Sequence, residues 1–187
     1  TIRRVNIQGY CEKSDKKDQL LLLIESGIKS VEQVEKIVEQ NKNIEKAYIE
    51  SIETLRMTVE AKDTYTRGHS DRVAKYSVEI GKELGLSEAD LKILKLGAQF
   101  HDIGKIGIPD SVLLKPDKLT EEEYATIKKH AEIGANILKS STIFKDIIPI
   151  VLHHHERWDG KGYPKGLKGE EIPYLARICS ISDTFDA

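Results

Sequence analysis

The stretch Phe100-His101-Asp102-Ile103-Gly104-Lys105 decides the reading of this chain. It sets an imidazole beside a carboxylate, with a lysine three residues beyond the acid. Neutral imidazole nitrogen and carboxylate oxygen suit borderline divalent metals such as Fe, Mn, Zn, Co or Ni. A carboxylate has two oxygens and can bridge two ions. Ions about 3.5–4 Å apart share a water, lower its pKa and clamp a phosphate oxygen. Lys105 lies on the same face as Asp102 or in the turn just after it, where its charge can stabilise a phosphoryl group or its departing oxygen. Outward from this stretch, the other histidines are His69, His130 and the run His153-His154-His155, and a further acid, Asp183, lies near the C-terminus. These groups are scattered in sequence, yet they fall at the ends of expected helices, where a bundle can gather them. They are read as one two-metal site.

Composition sets bounds on this reading. The chain has 187 residues, enough for one domain plus an extension, with 39% apolar and 32% charged residues, as in a soluble globular protein. A net charge of −2 gives no global field that favours nucleic acid, and no DNA partner is expected. Cys11 and Cys179 fit no CxxC spacing, so a reduced cytoplasmic setting is expected. The longest apolar run, Leu20 to Ile24, is too short to span a bilayer, and no signal peptide is legible. The sequence starts at Thr1 and stops at Ala187 inside an expected helix, which reads as a fragment.

Residues 1–29 are least informative. Ile2, Val5 and Ile7 alternate like a short strand, and Asp18 to Glu25 suit a short helix ending near Gly27. They read either as the remnant of an upstream sensory or receiver domain or as a cap on the next helix. Residues 30–62 read as one long helix capped by Ser30 with Gln33 three residues on. A heptad places Val31, Val34, Val38, Asn41, Glu45, Tyr48, Ile52, Leu55 and Val59 on one seam, imperfect at Asn41 and Glu45. The helix would span roughly 50 Å. It is either a signalling helix paired in a homodimer or an amphipathic helix lying along its own domain.

The third segment, 63–187, carries the chemistry. Thr64 to Ser70 breaks the helix, and the next one turns Val73, Tyr76, Ile80 and Leu84 inward. Gly85 ends it; Ser87 caps a helix that leads to His101-Asp102. Thr120, with Glu123 in the capping-box position, opens a helix containing His130. Ile143 to His155 form another, kinked or restarted at Pro149, and Pro173 opens the last, packed by Leu175, Ile178 and Phe185. Between them, residues 156–172 hold four glycines and one proline, an ordered loop. Lys161, Lys165 and Lys168 make it basic, and Trp158 and Tyr163 give it aromatic faces, a combination suited to a phosphorylated substrate carrying bases.

The series His69, His101-Asp102, Gly104-Lys105, His130, His154-His155-Glu156, Gly162-Tyr163-Pro164 and Asp183 resembles the HD-GYP domains, a group of HD-superfamily metal-dependent phosphohydrolases. The resemblance covers about residues 60–187. It implies an all-α HD-type bundle with a glycine-rich GYP loop, and phosphodiesterase activity on cyclic di-GMP giving pGpG, with further cleavage to GMP left open. By the same resemblance, His69, His101, Asp102 and Asp183 hold one metal. His130, His154 and His155 hold the second, with Asp102 bridging. Mixed His and carboxylate ligands take Fe, Mn, Ni, Co or Zn, and iron or manganese is put first. Lys105 matches the catalytic lysine. Gly162, Tyr163 and Pro164 match the loop that shapes the substrate site, flanked by Lys161 and Arg157. Members with a Glu four residues before the first His bind a third metal; Tyr65 stands there, so two are expected. The family continues past Asp183 into a basic segment that this sequence does not include.

The mechanism so implied is in-line attack by a hydroxide bridging the metals, with Lys105 stabilising the departing 3′ oxygen. His153 is read as a supporting or core residue and Trp158 as packing the loop. Arg157 and Arg177 also have nearby acids to pair with, and Asp63 and Arg72 are candidates to orient His69. Two other functions stay open: an HD phosphohydrolase of another nucleotide specificity, and a catalytically silent dinucleotide sensor or interaction module.

Overall fold

The computed structural model describes residues 16–62 and 68–187. The expected strand at Ile2–Ile7, Cys11, the helix break at Thr64–Arg67, Asp63 and Tyr65 lie outside them. The helices are α1 (Lys16–Lys62), α2 (His69–Glu83), α3 (Glu88–Phe100), α4 (Asp110–Leu113), α5 (Glu121–Lys128), α6 (His130–Leu138), α7 (Ile148–His153) and α8 (Tyr174–Asp186). Single 3-10 turns occupy Ile103–Gly107, Thr142–Phe144 and Gly169–Glu171. The described residues form no strand, only an isolated antiparallel bridge between Asp159 and Lys168, and the fold is all-α. None of these helices is long and apolar enough to cross a membrane.

The chain divides into two compact units, Thr1–Ile52 and Glu53–Ala187. In the first, the apolar residues Leu20, Ile24, Ile28, Val31, Val34 and Val38 of α1 are 48–60% exposed. In the second, α2, α3, α7 and α8 close around Val73, Ala74, Leu94, Ala98, Ile150, Ile178 and Cys179, none more than 2% exposed. Burial of each large member of that set contributes about 1.5–3 kcal/mol. Gly97 lets α3 approach α7, since a Cβ there would strike the Ile150 side chain. The last turns of α1 are tied into this unit by Arg56, which is only 5% exposed. Its guanidinium reaches Glu53 (2.5 Å), Glu60 (2.6 Å) and Asp71 (3.4 Å), and Asp71 in turn accepts from Gln99 Nε2 on α3 (3.1 Å).

The expected caps are present: Ser87 Oγ accepts from Asp90 N, and Thr120 and Glu123 form both halves of a capping box. Several boundaries differ. The helix read from Ser30 is already helical at Lys16 and runs through Gly27, and Ser30 Oγ donates to Ser26 O within it instead of capping. The helix read from Thr120 is interrupted at Lys129, so His130 opens α6 rather than sitting mid-helix. The Ile143–His155 helix is instead a 3-10 turn followed by α7, whose first turn holds Pro149, where no N–H is needed. Leu84 and Phe185 do not face inward, being 54% and 74% exposed. Leu84 is the C-cap of α2, past its buried face, and Phe185 touches Tyr76 edge-on at 5.2 Å.

Candidate metal centre

Helix ends build the site. His69 is the first residue of α2, His101 and Asp102 follow the last residue of α3, His130 opens α6, His154 and His155 follow α7, and Asp183 lies in the last turns of α8. His101, His130 and His154 are at most 1% exposed. Each of these three donates Nδ1–H to a carbonyl three residues back: His101 to Ala98 O (2.7 Å), His130 to Ile127 O (2.8 Å) and His154 to Val151 O (2.8 Å). That bond fixes the ring and turns Nε2 inward. The 3-10 turn after Asp102 presses Gly104 against α6, leaving no room for a Cβ beside His130 O.

Two groups of donor atoms converge, each group within 4.8 Å: Asp102, His130, His154 and His155, and His69, His101 and Asp183. Asp102 stands between them. Its Oδ1 is 3.4 Å from His130 Nε2 and its Oδ2 is 3.3 Å from His101 Nε2. Asp183 Oδ1 lies 3.0 Å from His69 Nε2 and 3.6 Å from His101 Nε2. The donor set fits divalent metal. With Nδ1–H committed to a carbonyl, Nε2 carries a lone pair, and those of His130 and His154 face each other at 3.3 Å. Such an approach is repulsive unless a cation or a proton lies between.

The electrostatics agree with that fit. Burial, reinforced by the neighbouring imidazoles His155, His101 and His130, pushes His154 well below its ordinary value. Burial also lowers His130 and brings His155 down to about 4. These rings stay neutral and keep the lone pairs that ligation needs. Burial opposes charge on His101, but Asp102 and Asp183 outweigh it and raise that ring. Burial opposes charge on Asp102 and Asp183 as well; His101 and Lys105 hold the first carboxyl low, and His101 and His69 the second. Lys105 Nζ sits 2.8 Å from Asp102 Oδ2.

A cleft of about 700 Å³ opens over the site, and its walls include His69, Arg72, Asp102, Lys105, His130, His155 and Asp183. The predicted loop residues Arg157, Lys161, Gly162 and Tyr163 line it, while Pro164 follows in a cis peptide bond and Trp158 points elsewhere. Arg157 lines the cleft and also grips Asp159 through Nε (3.1 Å) and Nη2 (2.8 Å). Trp158 is 62% exposed, with the Arg177 guanidinium 5.7 Å from its ring, so Arg177 stacks on aromatics instead of pairing with an acid. Sequence reasoning did not single out Tyr124 and Ile127, two further lining residues on α5.

The loop also braces the donors. A Cβ at Gly162 would overlap Arg157 N and lie 2.5 Å from Glu156 Cα and His155 O, so only glycine allows the loop to return this close. Tyr163 donates its N–H to His155 O (3.2 Å) and stacks its ring on the His155 imidazole at 4.8 Å and 31°. Glu156, fully buried, accepts from Lys165 N (2.7 Å) and Leu167 N (3.0 Å) and lies 3.6 Å from His153 Nδ1. His153 thus faces the loop anchor. Glu156→Gln sets an amide donor against one of those N–H groups. A loss of about 2 kcal/mol, read from the urea midpoint, is expected; an unchanged midpoint would remove Glu156 from this role.

Asp186, one turn beyond Asp183, was not singled out either. Its Oδ2 accepts from His69 Nδ1 (2.7 Å), and Arg72 clasps both of its oxygens. The three-residue spacing from Asp183, which places both acids on one face of α8, was the available signal.

Comparison with known proteins agrees with this geometry. Residues 53–187 match the HD domain family. A cyclic di-GMP phosphodiesterase of Thermotoga maritima is 47% identical over 140 residues, 74% of this chain and 38% of that protein. A 3′3′-cGAMP-specific phosphodiesterase 3 of Vibrio cholerae is 42% identical over 145 residues, 77% of this chain and 32% of that protein. The chain therefore spans well under half the length of these relatives. Among solved structures, Bd1817, an HDG"Y"P protein from Bdellovibrio bacteriovorus, superimposes with a TM-score of 0.56 at 30% identity, covering 63% of this chain and 39% of that one. The family match, the gathered His and Asp donors and the Gly162-Tyr163-Pro164 loop lead to one conclusion: this chain belongs to the HD domain family, in its HD-GYP group.

Proposed function

We propose that residues 63–187 carry out metal-dependent hydrolysis of cyclic di-GMP, opening the ring to pGpG, with GMP as the product of a further cut that the assay below decides. The observation that carries this reading is Asp102, whose two oxygens lean toward separate groups of histidines beneath a cleft lined by Lys105, Arg157 and Lys161. Two divalent ions, iron or manganese before nickel, cobalt or zinc, would be held by His69, His101 and Asp183 and by His130, His154 and His155, with Asp102 shared. Once bound they would supply an activated water and neutralise the charge of the phosphate oxygens. The chain's own residues do the remaining work. Lys105, kept close by Asp102, holds a proton at Nζ for the departing 3′ oxygen. Arg157 and Lys161 draw in the phosphates, while Gly162, Tyr163 and Pro164 shape the wall against which a guanine lies.

In this reading residues 30–62 serve as a signalling helix that pairs with a second copy. The apolar residues that α1 leaves 48–60% exposed support that pairing. That helix, continuous from Lys16, would pass on the state of an upstream sensory or receiver domain, and the setting is cytoplasmic. A second substrate, 3′3′-cGAMP, is favoured by the Vibrio cholerae relative at 42% identity.

The test uses one sample purified without oxygen, analysed for metal by mass spectrometry and assayed on cyclic di-GMP, 3′3′-cGAMP and pGpG. Two metals per chain with pGpG or GMP formed from cyclic di-GMP support the proposal. Turnover of 3′3′-cGAMP alone moves the substrate. Two metals without turnover of any dinucleotide would sink the enzyme and leave a sensor.

A further inference from the structure

The two nitrogens of His69 are bracketed by two carboxylates from a single turn of α8. Nε2 lies 3.0 Å from Asp183 Oδ1, on the side of the gathered donors, and Nδ1 lies 2.7 Å from Asp186 Oδ2, on the far side. The two acids differ in what else they touch. Asp183 Oδ1 also lies 3.6 Å from His101 Nε2 inside the site. Asp186, which lines the same cleft, is clasped by Arg72, with Nε 2.7 Å from Oδ1 and Nη2 2.8 Å from Oδ2. Its side chain is only 5% exposed, and the Arg72 guanidinium holds its pKa below the usual carboxylate range. A charged, bidentately fixed acceptor therefore stands behind His69. His101, His130 and His154 are aimed by their own helix carbonyls, whereas at His69 the group that meets Nδ1 is the Asp186 carboxylate.

We infer that Asp186, locked by Arg72, is the positioning residue of His69: it keeps the proton on Nδ1, aims Nε2 at the metal beside Asp183 and raises the basicity of that donor. Replacing such a partner of a metal-binding imidazole typically weakens the metal by 10–100-fold. The inference rests on the two-metal reading above, not on the identity of the substrate. It also predicts selectivity between the two ions. His69 belongs with His101 and Asp183, while in the other group His130 and His154 are anchored by their own backbone carbonyls, so one ion is weakened and the other is not.

The experiment is titration of metal-free protein with Mn²⁺, free ion being followed by electron paramagnetic resonance, for the unaltered chain, Asp186→Ala, Asp186→Asn and Arg72→Ala. Two ions are expected to bind the unaltered chain. In Asp186→Ala one of the two affinities falls 10–100-fold while the other stays within about threefold. Asp186→Asn, whose amide oxygen still accepts from Nδ1–H, recovers part of the loss, and Arg72→Ala gives a smaller loss at the same ion. The Asn variant decides the matter if the Ala variant does not fold. Unchanged affinities in a folded variant, or an equal loss at both ions, overturns the inference, since a merely structural role would loosen the whole site. An unaltered chain that binds fewer than two Mn²⁺ ions overturns the two-metal reading and the inference with it. Absent dinucleotide turnover with these shifts present overturns only the substrate assignment.

Discussion

Gly104→Ala protein is expected to be purified without its metals and to unfold at a markedly lower denaturant concentration. A Cβ at residue 104 would overlap the His130 carbonyl oxygen and sit 2.5 Å from Gly134 N. Both are backbone atoms of α6, so no rotamer change relieves the clash. The turn after Asp102 must lift off α6, and that movement separates the Asp102 carboxylate from His130 Nε2, now 3.4 Å away. Overpacking usually costs about 1–3 kcal/mol, and a clash with backbone on both sides belongs at or above the top of that range, about 3–4 kcal/mol. Metal content by mass spectrometry and the urea midpoint check this together. Wild-type values for both would show that the close approach of this turn to α6 is not a constraint.

Asp102→Asn is expected to leave a folded protein that turns over at least about 10³-fold more slowly, a loss of about 4 kcal/mol in the barrier. Among the described residues Asp102 is the acid placed between both groups of histidines, and its negative charge is held by His101 and Lys105 although burial opposes it. An amide keeps the size but offers one neutral oxygen, turns a donor toward an imidazole or toward Lys105, and leaves that lysine without its carboxylate at 2.8 Å. Metal content should fall with activity, because the shared ligand is lost to both ions. Full metal loading with near-normal turnover in this variant would remove Asp102 from the bridging role.

The parts of the site legible in sequence were those whose chemistry is carried by residue type. His69, His101, Asp102, His130, His154, His155 and Asp183 stand out because few other roles explain a His-Asp pair and a His run at helix ends, and the structure gathers these same side chains into two groups. Gly162 was legible as a loop residue, but the reason for it was not: the constraint is the backbone of residues 155–157, which is local in space and invisible to composition. Asp186 was missed because a lone acid near the end of a helix looks solvated until Arg72, 114 positions earlier, is seen to clasp it. Helix boundaries were the weakest part. Gly27 suggested a stop, yet a single interior glycine costs only about 1 kcal/mol and α1 runs through it. Phe185 was read as core from its hydrophobicity alone, although position on α8 leaves it 74% exposed.

The span of the site has a consequence for folding kinetics. His69 and Asp183 meet across 114 positions of sequence, joining the first helix of the bundle, α2, to the last, α8. Contacts of such long range form only after the loop entropy between them has been overcome, so the donor groups close late, when the intervening helices have docked. A metal ion captured there binds the finished bundle and not its precursors. Such binding would stabilise the whole unit against unfolding in proportion to the logarithm of the free metal concentration, and metal uptake would report the last step of folding.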